Sequence, residues 1–329
     1  MGQGHLQIWE QIQEAQIVAV CDEYLLSAKQ TGEKLGVPHF TRVQEMLGAG
    51  ILDAVDICTP SGLHGDQALL AAHANCHILC EKPLDLNIEK VDRLLSLCQQ
   101  RALTLACVLQ QRTTRTVQIV HDAIVSGKFG RLLSGSASVK WWRSQEYYDS
   151  SAWRGTWAYD GGVLANQAIH TLDLLCHFMG RVEEVEFAHI ETASHTMEAE
   201  DNALAVLRFE NGARGVVEAT TCSYPDLCAR VEIVGTEGSV AFDSTKVVRF
   251  GYGGQERMDT LEGNTGEVGG GRVNPMSISL QGHLLIMEDF VEAIRDKRPP
   301  LIGGEEARIS LDALTKIYRK ARPDLVLGL

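Results

Sequence analysis

Ile78-Leu79-Cys80-Glu81-Lys82-Pro83 is an apolar run that stops abruptly in an acid, a lysine and a proline. It reads as the end of a buried strand, because proline has no backbone donor and cannot continue a central strand. The chain must leave the sheet at Pro83 and hold Glu81 and Lys82 at its carboxyl edge, which is where open α/β sheets bind ligands. Taken alone, Lys82 reads as a solvated surface lysine and Pro83 as an ordinary strand stop. The flanking chain changes that reading.

On the amino-terminal side, apolar strands alternate with helical segments. Leu6, Trp9 and Ile12 recur at helical spacing between Gly2 and about Gln13. A strand is expected over residues 16–21, a polar helix over 24–35, a short helix over 43–47, a second strand over 54–58 stopped by Thr59-Pro60, and a helix over 63–74. After the 78–83 run, Val91, Leu94, Leu95 and Cys98 share one face of a helix over 88–101, and residues 103–109 form another buried strand. Such alternation means βαβ units and a parallel sheet. Beyond a boundary near residue 112 the pattern changes. A helix to about Ser126 leads into a long strand ending at Trp142, and a helix over 168–179 precedes strands near 185–192, 203–209, 214–219, 230–234, 239–242 and 247–250. Asn211-Gly212 is a hairpin turn. A Gly-rich loop over 251–273 and two helices close the chain. The expected architecture is thus α/β: a doubly wound parallel sheet over 1–112, then an α+β substrate-binding and oligomerisation domain over 113–329 with a largely antiparallel sheet.

The 329 residues carry a formal charge of −13, which argues against nucleic acid or an anionic membrane surface as the main partner. No run approaches the roughly 20 apolar residues of a membrane span, and the amino terminus lacks the basic and apolar parts of a secretory signal. A cytoplasmic location is the expectation. The nine cysteines include no C-x-x-C pair and sit in apolar or helical segments, so they read as reduced, buried small hydrophobes.

Three constellations carry chemistry. Gly2 stands where the third glycine of a G-x-G-x-x-G turn opens a helix, and Asp22 follows 20 residues later at a strand end. Asp22 suits the ribose hydroxyls of NAD and, with Glu23, repels the 2′-phosphate of NADP; it suits a helix N-cap equally well. The first strand and first two glycines of that pattern are not in the sequence, so the sheet is expected to lack its first strand and Met1 to be an internal methionine of a longer protein. Thr59-Pro60-Ser61-Gly62-Leu63-His64 is a second strand end opening into a helix, beside the one at Lys82. In Asp160-Gly161-Gly162 followed by Asn166, His170 and Asp173, the last three fall on one helix face, and the double glycine permits close backbone approach. A histidine satisfied within a helix pair is the plain alternative. A metal site from His170, Asp173 and His177 finds no further ligand cluster, and no metal is expected.

The order of Val-Ala-Val-Cys-Asp at 18–22, Cys-Thr-Pro at 58–60, Glu-Lys-Pro at 81–83, Gly-Gly at 161–162 and His-x-x-Asp at 170–173 resembles the Gfo/Idh/MocA oxidoreductases over nearly the whole chain. The resemblance implies a catalytic pair, Lys82 and His170, and a nicotinamide cofactor site lined by Gly2, Asp22, Thr59, Pro60, His64, Glu81 and Lys82. Asn166 stands where the family often has a substrate-side aspartate, so an acid–base relay rests on His170 and Lys82. Trp153-Arg154-Gly155-Thr156, with Asp160-Gly161-Gly162 and Asn166-Gln167, is similar to members that oxidise nucleotide-linked amino sugars. Arg154, Asn166, Gln167 and Asp173 are therefore expected on the substrate. The implied activity is NAD-dependent dehydrogenation of a ring hydroxyl on a sugar, nucleotide-sugar or cyclitol, in a homodimer or homotetramer. The alternatives are a non-catalytic relative of the same fold and a dehydrogenase of a non-sugar substrate.

Overall fold

The structure, a computed structural model, describes residues 1–258 and 280–325. Its first half runs α1 (Gly2–Trp9), β1 (Val20–Cys21), α2 (Leu25–Leu35), β2 (His39–Phe40), α3 (Val43–Gly48), β3 (Ala54–Ile57), α4 (His64–His73), β4 (His77–Cys80), α5 (Ile88–Arg101) and β5 (Leu105–Cys107). The second half continues with α6 (Arg115–Val125), β6 (Leu132–Lys140), α7 (Gln145–Asp149), α8 (Ile169–Met179), β7 (Val182–Glu191), β8 (Asn202–Phe209), β9 (Arg214–Thr220), β10 (Cys228–Gly235), β11 (Gly238–Asp243), β12 (Lys246–Tyr252), β13 (Gln255–Glu256), α9 (Gln281–Asp296) and α10 (Gly304–Ala321).

All ladders of the first half are parallel, as the βαβ alternation requires. They form two groups, β1-β2 and β3-β4-β5, with no ladder joining β1 to β3 among the described residues. The strand expected over 16–21 is accordingly short. Its one neighbour, β2, offers two residues of register, so residues 16–19 have no ladder to join. The sequence pattern did not show β2 at all. In β4, Ile78, Leu79 and Cys80 are completely buried between β3 and β5, which fits an apolar run with no polar alternation. Helix α5 buries Ile88, Val91, Leu94 and Cys98 and packs on α4, which lies on β3 and β4, and Asn87 caps it by accepting from the Glu89 and Lys90 amides.

The second sheet is ordered β13-β12-β11-β10-β6-β9-β8-β7 and is antiparallel except for the β6-β9 pair. The β8-β9 hairpin turns at Asn211-Gly212, where Gly212 has φ 84° and Asn211 Oδ1 accepts the Ala213 amide at 3.0 Å. One face of the sheet is covered by α8 and α10, and α10 also packs on α5 and β5. The other face carries Phe187, Leu204 and Val216, each more than 40% exposed. The Gly-rich loop of the sequence reading lies outside the described residues from 259 onward.

Candidate active site

Lys82 lies where the sequence places it, one residue past Glu81 at the carboxyl end of β4. Its side chain crosses to the second half, and Nζ donates to the carbonyl of Asn166 at 3.0 Å. Burial pushes the lysine pKa down, against the attraction of Glu81 and Asp160. Its backbone is held on both sides. Glu81 Oε2 accepts the Lys82 amide at 3.1 Å, and the next carbonyl, that of Pro83, meets His64 Nδ1 at 2.6 Å. The Lys82–Pro83 peptide is cis.

The facing turn is built by Gly161 and Gly162. Gly161 has φ 68°, and a Cβ on Gly162 would come within 1.9 Å of Glu200 Oε2, so a side chain there has no space. Asn166 leaves this turn with its amide nitrogen donating to the buried Asp160, whose other oxygen accepts the Gly155 amide at 2.8 Å. One helical turn on stands His170. Its Nδ1 is buried and has no hydrogen-bond partner among the described residues. Burial, helped by the Lys82 charge, pushes the His170 pKa down to about 3, so the imidazole is neutral. Lys82 and His170, from opposite halves of the chain, are thus near enough for the lysine's charge to act on the imidazole.

Beside them, Arg154 donates to Tyr147 Oη at 2.7 Å and stacks on the Tyr147 and Trp153 rings. Gln167 Nε2 lies 3.4 Å from the same phenol oxygen. Among the described residues no carboxylate forms an ion pair with Arg154. Arg154, Asn166 and Gln167 are therefore grouped with the Lys82–His170 pair, and Tyr147, which the sequence reading did not single out, joins them.

The other residues expected at the site have the following surroundings. Asp173 is not free for a substrate: both oxygens take the Arg112 guanidinium, at 2.6 and 2.7 Å, in a buried bidentate pair. His64 is turned inward. It is 1% exposed, and its nitrogens lie 2.6 and 2.7 Å from the Pro83 and Thr59 carbonyls, which bolts the two strand-end turns together. Glu81 is likewise buried, with its carboxylate engaged by His5 at 3.0 Å. Gly2 has no steric need to be glycine, since a Cβ would meet only Cys58 Cβ at 3.8 Å. Asp22 lies just before α2 and accepts from the Tyr24 amide and Ser27 hydroxyl, at 2.9 and 2.7 Å, while staying partly open to solvent. Thr59 and Pro60 are half-buried at the end of β3, and Thr59 Oγ1 donates to Gln67. Residues that could ligate a metal together are His5, Asp56 and Cys58; His5, Glu81 and His283; or His195, Asp201 and Cys222, and none of these sets includes His170.

The oxidoreductase family described by an NAD-binding Rossmann fold matches residues 1–108, and the GFO/IDH/MocA C-terminal domain matches residues 117–241. The WlbA dehydrogenase from Bordetella pertussis, solved in complex with NADH and UDP-GlcNAcA, is 32% identical, with a TM-score of 0.86 over 100% of this chain and 95% of that one. The chain belongs to the Gfo/Idh/MocA oxidoreductase family. Myo-inositol 2-dehydrogenase of Thermotoga maritima is 24% identical over 94% of this chain and 90% of its own, and scyllo-inositol 2-dehydrogenase (NAD(+)) of Bacillus subtilis is 23% identical over 94% and 88%. The residues present fit a nicotinamide at the Lys82 end, where the lysine is desolvated and its charge acts on a buried imidazole with no partner for Nδ1 among the described residues. For this family member, no helix among the described residues is long and apolar enough to cross a membrane.

Proposed function

We propose that this protein is an NAD-dependent dehydrogenase of a ring hydroxyl on a sugar, nucleotide-linked sugar or cyclitol, with Lys82 and His170 as its catalytic residues. The observation that carries the reading is that Lys82 Nζ bonds the Asn166 carbonyl, four residues before a buried His170 whose Nδ1 has no partner among the described residues and on which the lysine's charge acts. NAD, when bound, accepts the hydride. The chain's own task is to hold the carbinol oxygen and receive its proton as the carbon becomes a carbonyl. Lys82 donates a hydrogen bond to that oxygen and stabilises the charge that develops on it. His170, kept neutral, receives the proton. With Lys82 desolvated and its pKa lowered, the two residues can exchange roles. Asp22 and Glu23 favour NAD over NADP.

For the substrate, Arg154 favours an anionic group near the reacting ring, because a planar guanidinium already stacked on Tyr147 and Trp153 pairs with a carboxylate or phosphate at small entropic cost. This supports a nucleotide-linked sugar acid over a neutral cyclitol. That the WlbA dehydrogenase was solved with UDP-GlcNAcA points the same way. Mixing the protein with NAD and a panel of UDP-linked sugar acids, free sugars and inositols, and following reduced nicotinamide by absorbance, tests both statements. Turnover confined to the UDP-linked acids is expected. Turnover of inositols alone overturns the substrate assignment, and none with any alcohol overturns the enzyme reading in favour of a non-catalytic relative.

The exposed sheet face bearing Phe187, Leu204, Val206, Val216 and Val234 supports a homodimer or homotetramer assembled through it. Light scattering of the purified protein should give a mass of two or four chains, and a monomer contradicts this.

A further inference from the structure

His5 is 1% exposed and joins the partly buried Asp56 carboxylate to the buried one of Glu81, on neighbouring strands. Its Nδ1 lies 2.9 Å from Asp56 Oδ2, in β3, and its Nε2 lies 3.0 Å from Glu81 Oε1, just past β4. Only an imidazolium donates from both nitrogens, so the ring is held as a cation between two anions. Trp9, one turn along α1, donates its indole N–H to the same Asp56 oxygen at 2.7 Å, and the Cys58 thiol lies 3.3 Å from His5 Nδ1. From α9, His283 sets its ring edge against His5 at 5.6 Å, with Nε2 3.7 Å from Glu81 Oε1. Burial pushes the His283 pKa down to about 4, so that ring is neutral and His5 is the cation that fixes Glu81.

The second oxygen of Glu81 accepts the backbone amide of Lys82. The chain of contacts therefore runs from Asp56 through His5 and Glu81 to the lysine's own main chain. None of its earlier members reaches the Asn166 turn. We infer that His5, anchored by Asp56, is a positioning residue: by fixing the Glu81 carboxylate it sets the line along which Lys82 reaches the reacting oxygen. This rests on the catalytic assignment of Lys82 made above. A carboxylate released from His5 can rotate away from the Lys82 amide, leaving the backbone at Lys82 without that hydrogen bond. Displacements of an ångström at a catalytic group cost up to about a hundredfold in rate.

The test is a double-mutant cycle read as single-turnover NAD reduction by the intact protein. His5→Gln should lower the rate roughly ten- to a hundredfold while KM stays within about twofold, because the loss lies in alignment and not in substrate binding. In a Lys82→Met background, the same His5→Gln change should alter the remaining rate by less than about twofold, because the group it aligns is gone. Asp56→Asn, an isosteric change three contacts from Lys82, should repeat the pattern more weakly and serves if His5→Gln does not fold. Equal fractional losses in the parent and Lys82→Met backgrounds overturn the inference, as does a loss confined to KM. If Lys82→Met alone keeps the parent rate, the assignment of Lys82 fails instead, and the two failures are told apart by that single variant.

Discussion

Glu200 offers a sharp test of how the Gly161–Gly162 turn is held. Its carboxyl is 1% exposed, and Oε1 accepts from the Leu164 amide at 3.0 Å and the Tyr318 hydroxyl at 2.8 Å. Oε2 has no partner among the described residues and lies directly against Gly162. Burial pushes the carboxyl pKa from 4.5 up to about 7, despite those two hydrogen bonds. Because the folded-state value is raised, the stabilising influence of the neutral acid is complete below about pH 4.5 and is lost as the pH rises through about 7. At about 1.4 kcal/mol per pK unit, the loss between pH 5 and pH 8 is about 2.5 kcal/mol. Glu200→Gln mimics the neutral acid and removes this term. Urea unfolding at pH 5, 6, 7 and 8, followed by tryptophan fluorescence, checks it, since Trp157 packs against Tyr318 at 5.5 Å. The variant should gain on the parent by about 2.5 kcal/mol from pH 5 to pH 8. Asp85, whose pKa burial raises to about 6, titrates in both proteins and cancels in the difference. A variant-minus-parent difference that stays constant within about 0.5 kcal/mol across this range refutes the reasoning.

Other outcomes follow from the same structure. Arg112→Met leaves Asp173 charged and buried without its partner and should cost about 3–5 kcal/mol by chemical unfolding, with Arg112→Met/Asp173→Leu recovering much of it; equal costs contradict the ion-pair account. Arg154→Ala should raise KM for an anionic substrate tenfold or more while kcat falls far less, as expected for loss of uniform binding worth roughly 1.5–3 kcal/mol; a kcat effect with unchanged KM contradicts its place on the substrate. Asp22→Ala should narrow the preference for NAD over NADP in kcat/KM, and a parent enzyme that favours NADP contradicts the role given to Asp22 and Glu23.

The parts legible in the sequence were those set by local rules. The apolar run ending at Pro83 located β4 and its functional edge, helical spacing gave the buried face of α5, and Asn211-Gly212 gave the β8-β9 hairpin. Spacing alone also put Asn166 and His170 on one helix face, but Asn166 lies in the turn before α8 and only His170 is helical. What could not be read were partners distant in sequence. Asp173 and Arg112 lie 61 positions apart, and nothing near either residue shows that they pair. His64 looked like a cleft residue because it opens a helix after Thr59-Pro60, yet its ring turns inward to two carbonyls. A signal for the His5 network was present in Asp56, an acid inside a short apolar parallel strand, since a carboxylate there requires a hydrogen-bonded partner from another element. Strand β2 was invisible because two residues carry no periodicity.

The central claim is that Lys82 and His170 act together on the reacting oxygen, and the most direct measurement is the single-turnover rate of nicotinamide reduction in the parent, Lys82→Met and His170→Ala proteins at saturating NAD and substrate. Each variant should be slower by about 10²-fold to 10⁴-fold, the range for a positioned proton-transfer group, while substrate binding changes far less. Either variant retaining more than about half of the parent rate contradicts the role assigned to that residue.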